Sequence, residues 1–362
     1  MGTFMYPRVA FPCSMRSSGS SNRRRFLKGA AMGAGAVTLG TFVPGAVSTQ
    51  VSDALVIGET GMRSIDQPDR STWHSVEFSQ ELVDTLSSIG AEAPIVTMKP
   101  PSYNDPEPCH IRLRNVTQTG CDFQIEEWDH ADGSHQQESV FWLAIAPGVY
   151  EIQNASGTVF GVEATATSVS NSPQDVTFTF EFDQRPVVVA QSQTQNGKNN
   201  SINTRVDVAD NEAVNVRVQE QETELYSHRS YHRTERVGYI AIEQTAQGRL
   251  DDLGLTGVLT TPFEANRPDQ KTGDSPGEAT TYSFRRSDYE IAPRTVAACQ
   301  TRRGPEPAEL RRTEIGSNEM SLFAEEETSF DDETNHAGEN IGYIAFGGDG
   351  MVPGLSTDIS LS

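Results

Sequence analysis

The sequence is poor in lysine and in positive charge. Its 362 residues include 28 Lys and Arg against 50 Asp and Glu, a formal net charge of −22, and only Lys28, Lys99, Lys198 and Lys271 are lysines. This balance excludes a protein that binds nucleic acid through a basic surface. An acidic, lysine-poor surface keeps its hydration where salt screens charge repulsion. The composition therefore predicts adaptation to high salt.

Cysteine is also scarce. After residue 48 only Cys109, Cys121 and Cys299 occur, with no CxxC pair and no Cys/His grouping at zinc spacing. Cys109 and Cys121 flank one predicted hairpin, and its register sets each opposite another residue, so a disulfide between them is left open. Cys299 lies in a strand-like run and is expected to be a small buried apolar residue.

No apolar run reaches the ~20 residues that span a bilayer. Residues 1–48 hold six basic and no acidic residues, which leaves a charge of −28 for the remaining chain (22 basic, 50 acidic). Arg23 and Arg24, within Asn22–Lys28, resemble a twin-arginine export motif, and the apolar run Gly29–Val43 and the small-x-small site Ala46–Ser48 follow. We predict that residues 1–48 are a signal peptide of a haloarchaeal protein; an amphipathic helix packed on the domain is the alternative. The mature chain is then secreted or at the cell surface, without an integral membrane segment.

An eleven-residue pattern occurs three times. H-x-x-E-x-[VI]-x-[WY]-[IL]-A-[IF] begins at His135, His232 and His336, at intervals of 97 and 104 residues. Each copy follows a proline-led strand and a strand that ends in acids. Three such agreements indicate an internal repeat. The boundaries follow as unit 1 (49–150), unit 2 (151–247), unit 3 (248–350) and a tail (351–362). Gly347–Ser362 is expected to be loose apart from a short strand.

In each unit, alternation of apolar and polar residues predicts short strands, which are joined by loops rich in Gly, Asn, Asp, Ser and Pro. This is the pattern of a small antiparallel sandwich. The one predicted helix is Ser79–Ser88, where Leu82, Val83 and Leu86 form an apolar stripe. The chain is therefore expected to be all-β.

These landmarks resemble the H-type lectin domain. The match rests on a V-x-F strand, the proline-led strand, a turn such as Asn115–Gly120 and a last strand such as Phe141–Ile145. Val237–Glu243 and Ile341–Phe346 are more similar to a related repeat of large bacterial surface proteins. The resemblance implies three tandem six-stranded β-sandwiches and binding of a sugar, such as N-acetylgalactosamine, by loops between protomers of a trimer. Sugar binding is implied by analogy of fold alone.

The repeated His and Glu lie in the loop that enters the last strand of each unit, after acidic residues. The pairs are His135 and Glu138, His232 and Glu235, and His336 and Glu339. One interpretation is a divalent-metal or sugar-hydroxyl site, because imidazole and carboxylate suit either ligand. The other is a loop clasp that fixes the hairpin register. We favour the clasp and predict no cofactor, with a divalent metal as the open alternative.

Aromatic residues divide into core and surface candidates. Trp142, Tyr239 and Tyr343 alternate with apolar neighbours in a strand and are expected in the core, with sugar stacking as the alternative. Trp73 and Trp128 lie in loops or at strand ends and are candidates for stacking on a sugar. A loop in unit 2 groups further candidate recognition residues, unless it is only solvated: Tyr226, His228, Tyr231 and Arg233.

No sequence motif indicates an enzyme, since no G-x-S-x-G, HExxH or P-loop occurs in a suitable context. Three N-x-[ST] sequons, at Asn115, Asn154 and Asn199, permit glycosylation of an exported chain. We predict an exported, non-enzymatic carbohydrate-binding or surface-recognition protein whose partner is a glycan or a cell-surface component. The alternative is a structural component of the cell envelope or an extracellular assembly. Three units in one chain could pack as a pseudo-trimer, and a homo-oligomer is the other expected assembly.

Overall fold

The structure is a computed structural model of the full chain. It describes residues 54–170, 172–197, 200–223, 232–258, 260–331, 333–334 and 336–357. The predicted signal peptide, with Arg23 and Arg24, lies outside the described residues, as do Tyr226, His228 and Tyr231. Residues 51–362, which include all three repeat units, form one compact body.

The described chain is built from antiparallel strands and one α-helix, which confirms the all-β prediction. Unit 1 contains β1 (Ala54–Gln67), β2 (His74–Glu77), α1 (Gln80–Ser88), β3 (Ile95–Met98), β4 (Cys109–Arg114), β5 (Gly120–Glu127) and β6 (His135–Ile145). A linking strand β7 (Gly148–Gln153) leads to unit 2, with β8 (Val159–Val169), β9 (Gln174–Thr177), β10 (Val187–Ser192), β11 (Ile202–Asp207), β12 (Ala213–Glu220) and β13 (Glu235–Ile242). A second link, β14 (Gln247–Arg249), leads to unit 3, with β15 (Pro262–Asn266), a 3₁₀ turn (Pro276–Glu278), β16 (Thr280–Ser283), β17 (Arg294–Cys299), β18 (Ala308–Ile315), β19 (Glu319–Glu326) and β20 (Ile341–Phe346). The last strand is β21 (Gly350–Ser356).

Strand pairing recurs in the three units. One set of three strands runs β1-β6-β3, then β8-β13-β10, then β15-β20-β17. The other set runs β2-β5-β4, β9-β12-β11 and β16-β19-β18. In unit 2 a single apolar cluster joins both sets, through Val188 and Tyr239 from one and Val206 and Val216 from the other. Unit 3 has the same arrangement around Tyr343.

The linking strands connect each unit to the next. β7 pairs with β8, β14 pairs with β15, and β21 pairs with β1. β21 also pairs with β7 through Leu355 and Ser356, so it lies between the first and second units in an eight-stranded sheet. The C-terminal end of the described chain therefore returns to the first strand, and the predicted boundary at 350/351 falls within a strand.

The helix predicted at Ser79–Ser88 is confirmed as α1. Ser79 is its N-cap, and its Oγ accepts a hydrogen bond from the backbone N–H of Leu82 at 3.3 Å. Leu82 and Leu86 are fully buried, as expected of the apolar stripe. No helix among the described residues has the length and apolarity needed to span a membrane.

The cysteines of the described chain are buried and free. Cys109 lies opposite Glu127 and Cys121 opposite Val76, as the predicted register requires. The open question of a Cys109–Cys121 disulfide is thus answered by two separate thiols. Cys299 is a buried strand residue, as predicted.

Candidate functional site

The repeated His and Glu residues form buried polar clusters, which we call clasps. Clasp 1 consists of Glu127, His135, Glu138, Ser102 and Arg311. Nδ1 of His135 lies 3.2 Å from Oε1 of Glu127, and Nε2 lies 3.2 Å from Oε1 of Glu138. The hydroxyl of Ser102 donates to Glu138, and Ser102 Oγ accepts from the backbone N–H of Ser139 at 2.7 Å. Glu138 therefore joins the loop after β3 to the start of β6.

The same contacts recur in the other two units. In clasp 2 (Glu220, His232, Glu235, Thr194 and Arg112), the imidazole lies 3.2 Å from Glu220 and 2.8 Å from Glu235. In clasp 3 (Glu326, His336, Glu339, Thr301 and Arg205), the corresponding distances are 2.5 Å to Glu326 and 3.1 Å to Glu339. The threonine hydroxyl of each clasp donates to the second glutamate, as Ser102 does.

Each clasp is completed by an arginine from a different unit. Arg112 of unit 1 donates to Glu235 of unit 2 at 2.8 Å, and Arg205 of unit 2 donates to Glu339 of unit 3 at 2.7 Å. Arg311 of unit 3 donates to Glu138 of unit 1 at 3.0 Å. The three contacts run from unit 1 to 2, from 2 to 3 and from 3 back to 1, so they form a closed cycle.

Glutamine side chains add backbone contacts at two of these boundaries. Gln193 of unit 2 accepts from Val96 N–H at 2.9 Å and donates to Val96 O at 2.8 Å. Gln300 of unit 3 makes the same pair of bonds with Val188 of unit 2, at 2.9 and 2.7 Å. Unit 1 has Pro101 at the corresponding position, and there its carbonyl accepts from the backbone N–H of Arg312 at 3.0 Å. At the third boundary a backbone hydrogen bond thus takes the place of the glutamine side chain.

The electrostatics of the clasps follow from these partners. Burial by itself lowers the pKa of His135, but hydrogen bonds to Cys109, Glu127 and Glu138 outweigh it and raise the pKa. The pKa values of His232 and His336 are raised for the same reason, against the effect of burial, by their glutamates. The raised pKa favours the protonated form of each imidazole, in which both ring nitrogens can donate to the glutamates on either side.

The second glutamates show the opposite shift. Burial raises the pKa of Glu138, Glu235 and Glu339, but the His, hydroxyl and Arg donors outweigh burial and lower it in each case. Each carboxylate is thus ionised and surrounded by donors. Such a cluster can hold two loops and a neighbouring unit in place.

Two acidic groups beside clasp 1 are the described residues best placed to hold a cation. Asp105, Glu107 and His135 form one group, and Glu107, Glu127 and Asp132 form the other, with the ligand atoms of each within 4.8 Å of one another. Burial and the neighbouring Glu127 raise the pKa of Glu107. His135 already contacts two glutamates, which leaves carboxylates as the available ligands.

The sequence pattern did not single out the arginines of the clasps. Arg112, Arg205 and Arg311 occupy equivalent positions in β4, β11 and β18, fifteen residues before Glu127, Glu220 and Glu326. This shared spacing was the available signal.

A second buried glutamate was also missed in each unit. Glu59, Glu163 and Glu264 lie in the first strand of each unit and accept backbone N–H bonds from the segment after the second strand, as Glu163 does from Thr179 at 2.6 Å. The hydroxyls of Tyr239 and Tyr343 donate to Glu163 and Glu264 at 2.5 Å. Tyr239 and Tyr343 are thus core residues, as is Trp142, in agreement with their expected place.

Trp73 lies in an open cleft at the boundary of units 1 and 2. The cleft has a volume of about 630 Å³ and is lined by Arg70, Ser71, Trp73, Arg114, Asn115, Thr194, Gln195 and Asn196. The guanidinium of Arg114 lies 3.8 Å from the centre of the half-buried Trp73 ring. Arg70 donates to the backbone O of Trp128 at 2.8 Å, which fixes one wall. A half-exposed aromatic ring among amide and guanidinium groups suits a polar, ring-shaped ligand.

The other predicted recognition residues are placed differently. Trp128 is only 2% exposed, and its ring packs on His110 at 4.9 Å between ring centres. Its ring therefore belongs to the interior and does not line the Trp73 cleft. Arg233 is exposed, and the other three candidates of its loop lie outside the described residues: Tyr226, His228 and Tyr231.

The chain is similar to halomucin of Haloquadratum walsbyi. The two are 28% identical over 310 residues, which is 84% of this chain and 3% of halomucin. The chain thus spans about 3% of the length of the relative that it matches. No protein-family model matches the chain, and no solved structure matches it. The match is consistent with the salt-adapted composition and compatible with a secreted or surface location.

Proposed function

We propose that the chain is an exported, non-enzymatic carbohydrate-recognition protein built from three six-stranded, H-type-lectin-like sandwiches. The recurrent pairing of three strands with three strands supports this description of each unit. The similarity to halomucin and the basic, apolar, small-residue order of residues 1–48 support export by the twin-arginine route. The clasps are structural in this proposal, because their imidazoles and carboxylates satisfy one another.

The observation that carries sugar recognition is the Trp73 cleft. Sugars present apolar ring faces beside hydroxyl groups, and an aromatic ring with neighbouring amides and guanidinium groups binds both. Asn115, Gln195 and Asn196 bring such amides to the cleft from two units. The proposed site therefore lies at a boundary between units, and Trp73 is its stacking residue.

A glycan array at high salt tests this function. We expect selective binding by the mature chain, and loss of about tenfold or more in affinity for Trp73→Ala, equivalent to ~1.4 kcal/mol or more. Phe330→Ala is the matched control, because Phe330 is an aromatic residue outside the cleft with 60% of its surface exposed. Equal binding by all three proteins would contradict the role of Trp73. If the native chain binds no glycan on the array, the proposal of sugar recognition is wrong.

The second candidate function is a structural component of the cell envelope or of an extracellular assembly. The closed cycle of Arg–Glu contacts favours it, since it joins the three units into a rigid body suited to bearing load. Absence of glycan binding on the array, together with self-association at high salt measured by light scattering, supports the structural role. Selective sugar binding without self-association supports the lectin.

A further inference from the structure

The sequons of the chain differ in what the fold leaves accessible. A sequon is modified on the amide nitrogen of its Asn, and its third residue supplies a hydroxyl that the N-x-[ST] pattern requires. The twin-arginine route carries folded proteins, so in an exported chain the folded structure decides which sequon an external enzyme reaches. Both the Asn and the hydroxyl residue must then lie at the surface.

Asn115 and Thr117 satisfy this condition. Both are exposed, in the hairpin loop between β4 and β5. Asn115 has a φ of 50°, a left-handed conformation that Asn tolerates in turns. Its Nδ2 donates to Oδ2 of Asp122 at 2.8 Å, which orients the amide and uses one of its two N–H groups. The other hydrogen is the one that a sugar replaces.

The sequon at Asn154 is blocked by the fold. Asn154 is only 8% exposed, and its Nδ2 donates to the backbone O of Gln247 at 3.0 Å. Its Oδ1 accepts from the backbone N–H groups of Ser156 and Thr158 at 3.1 and 2.9 Å. This amide joins β7 to β14, so modification would require the link between units 2 and 3 to open.

The third sequon, at Asn199, has its hydroxyl inside the protein. Ser201 is 2% exposed, and its Oγ donates to the backbone O of Glu127 at 2.7 Å. Asn199 itself lies outside the described residues. In the folded chain this hydroxyl is buried at the boundary of units 1 and 2, whereas Thr117, whose hydroxyl donates to the backbone O of Gly120 at 3.0 Å, is exposed.

We infer that Asn115 is an N-glycosylation site of the exported chain and that Asn154 is not modified. The donor is a lipid-phosphate-linked oligosaccharide. Nδ2 of Asn115 forms a bond to the anomeric carbon, the bond from that carbon to the phosphate oxygen breaks, the lipid phosphate leaves, and Nδ2 loses one proton. The inference rests on the extracellular location proposed above.

Mass spectrometry of the full chain, secreted by a salt-adapted archaeal host, tests the site. We expect glycan mass on the peptide with Asn115 and none on the peptide with Asn154. Asn115→Gln and Thr117→Val each abolish the modification, whereas Thr117→Ser retains it. Thr117→Val leaves the Asn115 amide in place, so its result separates recognition of the sequon from a change in the loop.

The outcomes distinguish this inference from the proposed location. An exported chain with unmodified Asn115, in cells whose own surface glycoprotein carries glycan, overturns the inference alone. A chain that stays in the cytoplasm without glycan overturns both. Glycan on Asn154 overturns the argument from burial. Because Asn115 also lines the Trp73 cleft, the glycan array is run on native and Thr117→Val chains, and binding by the unmodified variant, which keeps the Asn115 amide, shows that the cleft recognises sugar without an attached glycan.

Discussion

At the scale of single residues, the stability of this chain depends on buried glutamates that are surrounded by hydrogen-bond donors. Glu235 and Glu339 have no exposed surface, and Arg112 is 1% exposed. Removing such ions from water costs several kcal/mol each, and the cost is offset only where partners satisfy them. Each second glutamate of a clasp contacts an imidazole, a hydroxyl, a backbone N–H and an arginine, which meets this requirement for the carboxylate.

Glu235→Gln tests the clasp directly. The substitution keeps the shape of the side chain but removes the negative charge beside Arg112 and His232. Arg112 then retains a longer ion pair with Glu126, whose Oε2 lies 3.9 Å from Nη1 of Arg112. We expect the free energy of unfolding in urea at constant high salt to fall by about 3–5 kcal/mol. Asp288→Asn is the matched control, because Asp288 pairs with Arg249 at the surface, and we expect a loss below about 1 kcal/mol. Equal losses for the two variants would contradict the role of the clasp.

The raised pKa of His232 predicts a pH dependence that can be measured against His232→Gln. A folded-state pKa above the unfolded value of ~6.5 gives a stabilisation that is complete below pH ~6.5 and is lost as pH rises toward the folded pKa. The lowered pKa of Glu235 gives a stabilisation that is complete above pH ~4.5 and is lost at lower pH. The difference in unfolding free energy between native and variant is therefore expected to be largest between pH ~4.5 and ~6.5. His74→Gln, outside the clasps, serves as control; a difference that grows above pH 7 would be inconsistent with a charged clasp.

At the scale of elements, the linking strands decide how the units are joined. β21 pairs with β1 from Ala54 to Thr60, and Val352 of β21 is fully buried. α1 and the strands of each unit follow from local periodicity, and for that reason they were predictable. The partner of β21 was not predictable, because no local pattern in a short C-terminal strand indicates that it pairs with a strand almost 300 residues earlier in the chain.

Deletion of residues 350–362 tests the contribution of β21. We expect a loss on the order of 5 kcal/mol, since ladder hydrogen bonds contribute ~0.5–1.5 kcal/mol each and a buried Val adds ~1.5–3 kcal/mol. Hydrogen exchange is expected to increase at Ala54–Thr60, where β1 loses its neighbour. Deletion of residues 358–362 alone is the control and leaves β21 intact. Unchanged protection of the β1 amides from exchange in the longer deletion would show that β21 does not stabilise β1.

At the scale of the whole molecule, the three units contact one another in a cycle. Arg112, Arg205 and Arg311 each reach the next unit, and Lys99 of unit 1 contacts Glu309 of unit 3 at 3.1 Å and Thr204 O of unit 2 at 3.3 Å. Charged contacts of this kind are buried at the boundaries between units. Separate units would expose them and lose their partners.

Small-angle scattering of the mature chain tests this cycle. A compact body of the 312 residues from 51 to 362 has a radius of gyration of about 20 Å. We expect that value and a single calorimetric transition at high salt, because the buried contacts between units unfold together. Arg112→Met with Arg205→Met is expected to broaden or split the transition. A larger radius with separated beads for the native chain would contradict the cycle.

The sequence by itself determined the properties that neighbouring residues encode. The alternation of apolar residues set the strands and the helix, the repeat set the number of units, and the excess of acids set a surface suited to salt. Only the tertiary structure decided which arginine meets which glutamate, where β21 lies and that Trp73 faces a cleft while Trp128 is buried. The physical reason is distance along the chain: Arg112 and Glu235 are 123 residues apart and Arg311 and Glu138 are 173 apart. No local pattern specifies such pairs, because burial at a shared boundary is what selects them.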